Sequence, residues 1–181
     1  MRLFVAIGLP NNISQDLGRL QGSIASARWV MVCDMHLTLS FIGDVADGDI
    51  HDLEAELASI DFPAFEITLS GLGTFERRKK IHTLWAGVAN EPALIALHDR
   101  VDAAVARAGH SPEKRKYKPH VSIARFSRAS DPAIGPYIEA NNTLANMAFT
   151  AENFSLYRSH LGRNGARYEA LSTYELAKMT Y

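Results

Sequence analysis

Seven histidines occur in this chain of 181 residues, and two of them stand in the same short pattern. His36-Leu37-Thr38-Leu39 and His120-Val121-Ser122-Ile123 both read imidazole, apolar, hydroxyl, apolar. On a β-strand, residues i and i+2 point to one face, so imidazole and hydroxyl project together while the apolar residues bury behind them. From residue frequencies one such match is expected about 0.1 times by chance and two about 0.01 times. Either one alone reads equally well as a half-buried core histidine. The pair does not. Two imidazoles can divide the labour near neutral pH, one as neutral base and the other as cationic acid. Hydroxyls donate to anionic oxygens without adding charge. Together they suit in-line displacement at phosphorus, one histidine taking a proton from attacking water and the other giving one to the leaving alkoxide.

No metal or other cofactor is expected for this chemistry. The sequence has no His-x-His, no His-Glu-x-x-His and no carboxylate at ligand spacing beside either motif histidine, and Asp34, two residues before His36, does not make a site alone. Cys33 reads as a small hydrophobe, and Ser40 continues the face of His36 and Thr38 without an acidic partner. His51, His82, His98, His110 and His160 carry no partner pattern and read as surface or structural residues. The second motif sits among cations: Lys114, Arg115, Lys116, Lys118, Arg125 and Arg128, with no acid from 114 to 128. Strict alternation turns Arg125 away from His120 and Ser122, although a bulge or strand end would bring its fork to a phosphate. Arg77-Arg78-Lys79-Lys80 joins two strands and reads as a solvated hairpin tip or a loop at a cleft mouth. Tyr117 is placed either to stack on a base or to cover the core.

The elements that must position these groups can be read from periodicity. Leu3 to Leu9 reads as a strand: it sits at the short limit for a signal-peptide core, and mostly polar residues, Asp16 and Arg19 among them, come before any cleavage point. Ile13, Leu17, Leu20 and Ile24 predict one helix, and Ile50, Leu53, Leu57 and Ile60 another. Residues 36–43 carry the first motif on a strand, and AFEITLSGLGTF comes next as a strand in which Gly71 and Gly73 suggest a bulge. A strand at 81–89 leads to a helix from Pro92, bearing Leu94, Leu97, Val101 and Val105 and ending at Gly109. Residues 118–126 hold the second motif. A short helix interrupted by Pro136 comes after it, and then two strands from MAFTAENFSLYRS and ARYEALSTYEL. The halves thus repeat strand, helix, histidine strand, helix, strand. The expected fold class is α+β, a two-lobed duplicated fold with antiparallel-type sheets lining a central cleft and helices outside. Residues 1–181 form a single domain of two pseudo-symmetric lobes, each contributing one His-x-Thr/Ser-x strand.

Composition bounds the partners. Nineteen Lys and Arg against twenty Asp and Glu leave a net charge of −1, which argues against coating long nucleic acid. That total hides an asymmetry: residues 1–90 sum to −4 and residues 91–181 to +3. A single Cys33 excludes an internal disulfide and fits a reducing cytoplasm, and no apolar run approaches a membrane span.

With its flanks, the motif pair resembles the two-histidine (2H) phosphoesterases, and within them the RNA 2′,3′-cyclic phosphodiesterases, also called 2′-5′ RNA ligases. The likeness covers nearly the whole chain: RLFVAIGLP, RWV before HLTLSFIG, SGLGTF, LWAGV, KYKPHVSIAR, and FSLYRSHL with GARYEAL. It implies metal-free hydrolysis of RNA 2′,3′-cyclic phosphate ends to 2′-phosphate ends, with reversible 2′-5′ joining of RNA. Carried over, His36 resembles the proton donor to the departing 3′ oxygen and His120 the proton acceptor that activates water. Thr38 and Ser122 match the phosphate-holding hydroxyls, Ser standing where Thr is usual, and Arg125 matches an arginine after the second motif. The implied partner is RNA with a 2′,3′-cyclic phosphate end, handled by a cytoplasmic monomer with no membrane and no protein partner. Two rivals are a small-nucleotide cyclic phosphodiesterase and a non-catalytic module that binds RNA ends.

Overall fold

The computed structural model describes residues 1–89, 92–127, 131–144, 147–162 and 165–178. The apolar opening run forms β1 (Arg2–Gly8), five consecutive residues of which are buried. Helix α1 (Asn11–Gly18) is shorter than the apolar spacing predicts. The chain leaves it through tight turns at Gly22 and Ser23, both with positive φ, yet Ile24 still reaches the core. A loop carries the burial that a third helical turn was expected to carry.

After the two-residue strand β2 (Arg28–Trp29) comes β3 (His36–Asp44), then α2 (Ile50–Ala58) and the hairpin of β4 (Phe65–Arg77) and β5 (Lys80–Val88). Helix α3 (Pro92–Arg107) has proline at its first position, and Gly109, two residues past its end, reverses the chain with a φ of +87°. The second motif lies on β6 (His120–Arg125). In α4 (Ile134–Asn141) Pro136 falls in the first turn, where its missing N–H costs no helical bond, so it does not interrupt the helix. Three strands close the chain where two were expected: β7 (Ala148–Ala151), β8 (Asn153–Gly162) and β9 (Gly165–Glu175).

All pairings between these strands are antiparallel, in the order β7-β4-β5-β6-β3-β1-β8-β9, with β2 beside β6. The α+β class expected from the sequence is the one observed. The third strand of each sequence repeat, however, is exchanged. Strand β4 joins the half of the sheet that holds β6, and β8 joins the half that holds β3. Only Glu152 separates β7 from β8, although the two lie in opposite halves of the strand order. The sheet must therefore bend round on itself, and bonds from Ala64 and Ala177 tie the ends of that bend together. Helices α2 and α3 pack together, and α3 lies against β3. Leu53, Leu57, Leu94, Leu97 and Val101 bury there with Leu37, Leu39, Val121 and Ile123. Each such side chain contributes about 1.5–3 kcal/mol and holds the two histidine strands from behind.

Candidate active site

Strands β3 and β6 lie side by side at the centre of the sheet and pair at Leu37 and Val121. That register sets His36 opposite Ser122 and Thr38 opposite His120. The two imidazoles occupy one diagonal of a four-residue square and the two hydroxyls the other, with diagonal backbone spacing of about 7–8 Å. All four are half-buried, while Leu37, Leu39, Val121 and Ile123 are buried on the opposite face. In-line displacement needs a base and an acid on opposite sides of phosphorus, and the imidazole diagonal provides that separation.

Both rings are held in the same way. His36 Nδ1 lies 2.8 Å from the Asp34 carbonyl, and His120 Nδ1 lies 2.7 Å from the Lys118 carbonyl. A carbonyl only accepts, so each Nδ1 carries the proton and each Nε2 is left for chemistry. Burial is the main cause that pushes His36 down to about 4; the charge of Arg125 and that of His120 add to the effect. His120 is lowered too, chiefly by burial and then by Arg125 and Lys118. A reaction in which His36 gives a proton and His120 takes one would need, in the free protein, His36 protonated and His120 neutral. The optimum of kcat/KM is therefore expected between about pH 4 and 6.5. An anionic phosphodiester bound beside His36 raises its pKa, so the alkaline limb of kcat should lie higher than that of kcat/KM. A kcat/KM plateau extending to pH 8 would contradict this assignment.

A bulge sets the direction of the side chains after each motif. Between β1 and β3, Val5 pairs with Ser40 and Ala6 with Thr38, so Leu39 is an extra residue. Between β5 and β6, Leu84 pairs with Ala124 and Trp85 with Ser122, so Ile123 is extra in the same way. Each bulge reverses the alternation. Ser40 turns inward and is buried, which corrects the expectation that it continues the face of His36 and Thr38. Arg125 turns outward, and its cation is close enough to depress both imidazoles. At the equivalent place in the first strand stands Phe41, 49% exposed.

Aromatic walls flank the square. Phe4 lies 4.9 Å from the His36 ring, Tyr168 meets that ring edge-on at 4.9 Å, and Tyr157 stacks on Phe4. A cavity of about 260 Å³ opens beside His36, lined by Asn11, Cys33, Asp34, Tyr157 and Tyr168 among others. Burial raises the Asp34 carboxyl, offset in part by Arg167 and the Tyr168 N–H. Across the square, Phe75 meets the His120 ring edge-on at 4.7 Å, and Trp85 lies 5.4 Å from Phe75. The Trp85 ring lies over Gly73, where a Cβ would fall 2.2 Å from it. Gly71, with φ +71°, sits at a register shift between β4 and β5, the bulge expected there.

Among the described residues β3 and β6 share one paired position, so other bonds must fix their spacing. Tyr117 donates to the Thr38 carbonyl at 3.0 Å, and His98 on α3 donates to the Leu39 carbonyl at 2.7 Å. The two rings stack with centroids 3.9 Å apart. Tyr117 thus serves the interior, the second of its two sequence readings. His98 does more than its sequence suggested, bolting α3 to the first motif from behind.

The family model described as the 2′-5′ RNA ligase superfamily matches residues 11–163. This chain belongs to that superfamily. The RNA 2′,3′-cyclic phosphodiesterase of Aeropyrum pernix is 33% identical over 161 residues, covering 86% of this chain and 92% of the relative. That of Geobacillus stearothermophilus is 31% identical over 96% of this chain, which spans only 56% of the relative's length. The crystal structure of Escherichia coli LigT complexed with 3′-AMP superposes with a TM-score of 0.79 at 27% identity, covering 97% of this chain and 96% of that one.

For a 2′-5′ RNA ligase superfamily member, the sequence located both imidazole–hydroxyl pairs, and the structure brings the four together. It missed Phe4, Phe41, Phe75, Trp85, Tyr157 and Tyr168. Strand exchange sets Tyr157 and Tyr168 beside His36, and only Gly73 beneath Trp85 left a trace in the sequence. Cys33 is exposed and lines the cavity rather than packing inside. Arg115 pairs with Glu113 just outside the acid-free stretch, and Lys114 and Lys116 are exposed. Arg128 lies outside the described residues. His160 pairs with Glu169, and no group of three His, Cys, Asp or Glu suited to a metal occurs among the described residues. No described helix is long and apolar enough to cross a membrane.

Proposed function

We propose that this protein is a metal-independent phosphodiesterase that opens RNA 2′,3′-cyclic phosphate ends to 2′-phosphate ends. The observation that carries the reading is the square in which two imidazoles, each with a free Nε2, sit diagonally across two hydroxyls. His120 Nε2 takes a proton from water as the water oxygen bonds to phosphorus. The bond from phosphorus to O3′ breaks, and His36 Nε2 gives its proton to O3′. Thr38 and Ser122 hydroxyls and the Arg125 guanidinium hold the non-bridging oxygens, where negative charge builds up. With an RNA 5′-hydroxyl in place of water, the same displacement forms a 2′-5′ linkage, and its reverse cleaves one.

The names of the relatives, RNA 2′,3′-cyclic phosphodiesterases at 25–33% identity, support the substrate class. The strand order supports one domain of two pseudo-symmetric lobes, each giving one His-x-Thr/Ser-x strand. We place the enzyme in the cytoplasm as a monomer, consistent with a lone exposed Cys33 in a reducing compartment. The test is end-group analysis of one cyclic-ended oligoribonucleotide, with and without EDTA. A 2′-phosphate product whose yield survives the chelator is expected. A 3′-phosphate product would reverse the choice of leaving oxygen, loss of turnover in EDTA would point to metal chemistry, and salt-sensitive binding without turnover would indicate a binding module.

A further inference from the structure

From the catalytic square a track runs outward along the β4–β5 hairpin. Trp85 is the cross-strand neighbour of Ser122, Gly73 lies opposite Trp85, and Phe75 comes two residues on. The outer face of Trp85 is covered by a side chain and not by the core: the exposed Lys118 ammonium sits 4.6 Å from its ring centre and 5.8 Å from that of Phe75, and an incoming base would displace it. Exposed His82 lies beyond, 6.4 Å from Phe75. The track ends at the hairpin tip, where Arg77 pairs with Lys80 across the turn residues Arg78 and Lys79.

The tip is built in an unusual way. Arg78 and Lys79 both take positive φ, 52° and 62°, as both central residues of a type I′ turn must. Such turns favour Asn and Gly, which adopt that backbone easily. This one carries two long cations instead, giving up conformational ease for charge at the outermost point of the strand pair. All four tip cations are exposed, with Glu76 beside them, and none is ion-paired to a carboxylate among the described residues. Among the described Lys and Arg, Arg19, Arg107 and Arg115 have such a partner, so what sets the tip apart is four adjacent cations at one turn.

We propose that this face binds single-stranded RNA beyond the terminal phosphate, with bases on Phe75 and Trp85 and backbone phosphates on Arg77, Arg78, Lys79 and Lys80. From Trp85 to Lys80 the strand spans about 17 Å, room for a few nucleotides. Aromatic faces with unpaired cations suit a strand gripped without regard to sequence. This rests on the proposed action at RNA ends and adds that the enzyme distinguishes an oligonucleotide from a mononucleotide.

The test compares a 2′,3′-cyclic mononucleotide with an oligoribonucleotide of about ten residues bearing the same end. The variant combines Arg78→Asn with Lys79→Gly, the residues the turn favours, so charge is lost while the hairpin folds at least as well. Wild type should prefer the oligonucleotide. The variant should keep its mononucleotide rate within about twofold, lose about tenfold in kcat/KM on the oligonucleotide, and show a salt dependence shallower by about 0.7 per lost contact. The proposal is overturned if the long substrate gains nothing in wild type, if both substrates suffer equally, or if only joining to a 5′-hydroxyl strand is affected. Should wild type turn over neither substrate, the proposed activity has failed. Fluorescence anisotropy with a 2′-phosphate-ended oligonucleotide then decides the track separately: weaker variant binding supports it, and unchanged binding overturns it.

Discussion

Replacing His36 or His120 with Ala is expected to lower turnover of a cyclic-ended RNA at least about 10²-fold, while the thermal melt stays close to that of wild type. Both rings face the open side of the sheet and pack mainly on other rings, so their removal leaves the leucine and valine core behind β3 and β6 untouched. The two losses should not add in the double variant, because one proton delivered without the other removed completes no reaction. An activated diester separates the roles. An aryl phosphodiester leaves without protonation, so H36A should recover most of its rate on that substrate while H120A should not. Recovery by H120A alone would exchange acid and base. Full activity of both variants on RNA would end the mechanism.

Arg125→Gln is expected to cost about 10²-fold in kcat/KM and to move its pH optimum upward. The first effect comes from losing a charged fork on the non-bridging oxygens, a group that counts most as charge builds up in the transition state. The sign of the second is fixed by the histidines. The Arg125 cation lowers both His36 and His120, so removing it raises both and shifts acid and alkaline limbs in the same direction. Arg125→Lys keeps a charge without the fork, so it should recover the pH optimum more completely than the rate. A pH–rate series on the three proteins measures both effects. An unchanged optimum with a full rate would place the guanidinium outside the site.

Where the sequence was a reliable guide, the signal was local and periodic. The Leu94, Leu97, Val101 and Val105 stripe is α3, and the alternation of His36, Thr38, His120 and Ser122 survives as the square. It failed where the outcome depended on a partner strand. Ser40 was expected on the face of His36 and Thr38 and turns inward instead, while Arg125, which strict alternation would turn away, reaches the imidazoles through the bulge the sequence left open, because each strand holds one residue more than its neighbour. The Ile13 to Ile24 stripe failed differently: Ile24 is buried as its spacing implies, but in a loop beyond a helix that ends at Gly18.

The sequence by itself therefore determined the two imidazole–hydroxyl pairs, the family likeness and the cationic second half, because these depend on residue type and on distance along one strand. Only the tertiary structure decided that the imidazoles lie on a diagonal, and that Arg125 and Phe41 turn toward the site. It also decided that the exchanged strand β8 and its neighbour β9 bring Tyr157 and Tyr168 to His36. A bulge or an exchanged strand is a count taken between two segments far apart in the chain, and no periodicity within either segment contains it.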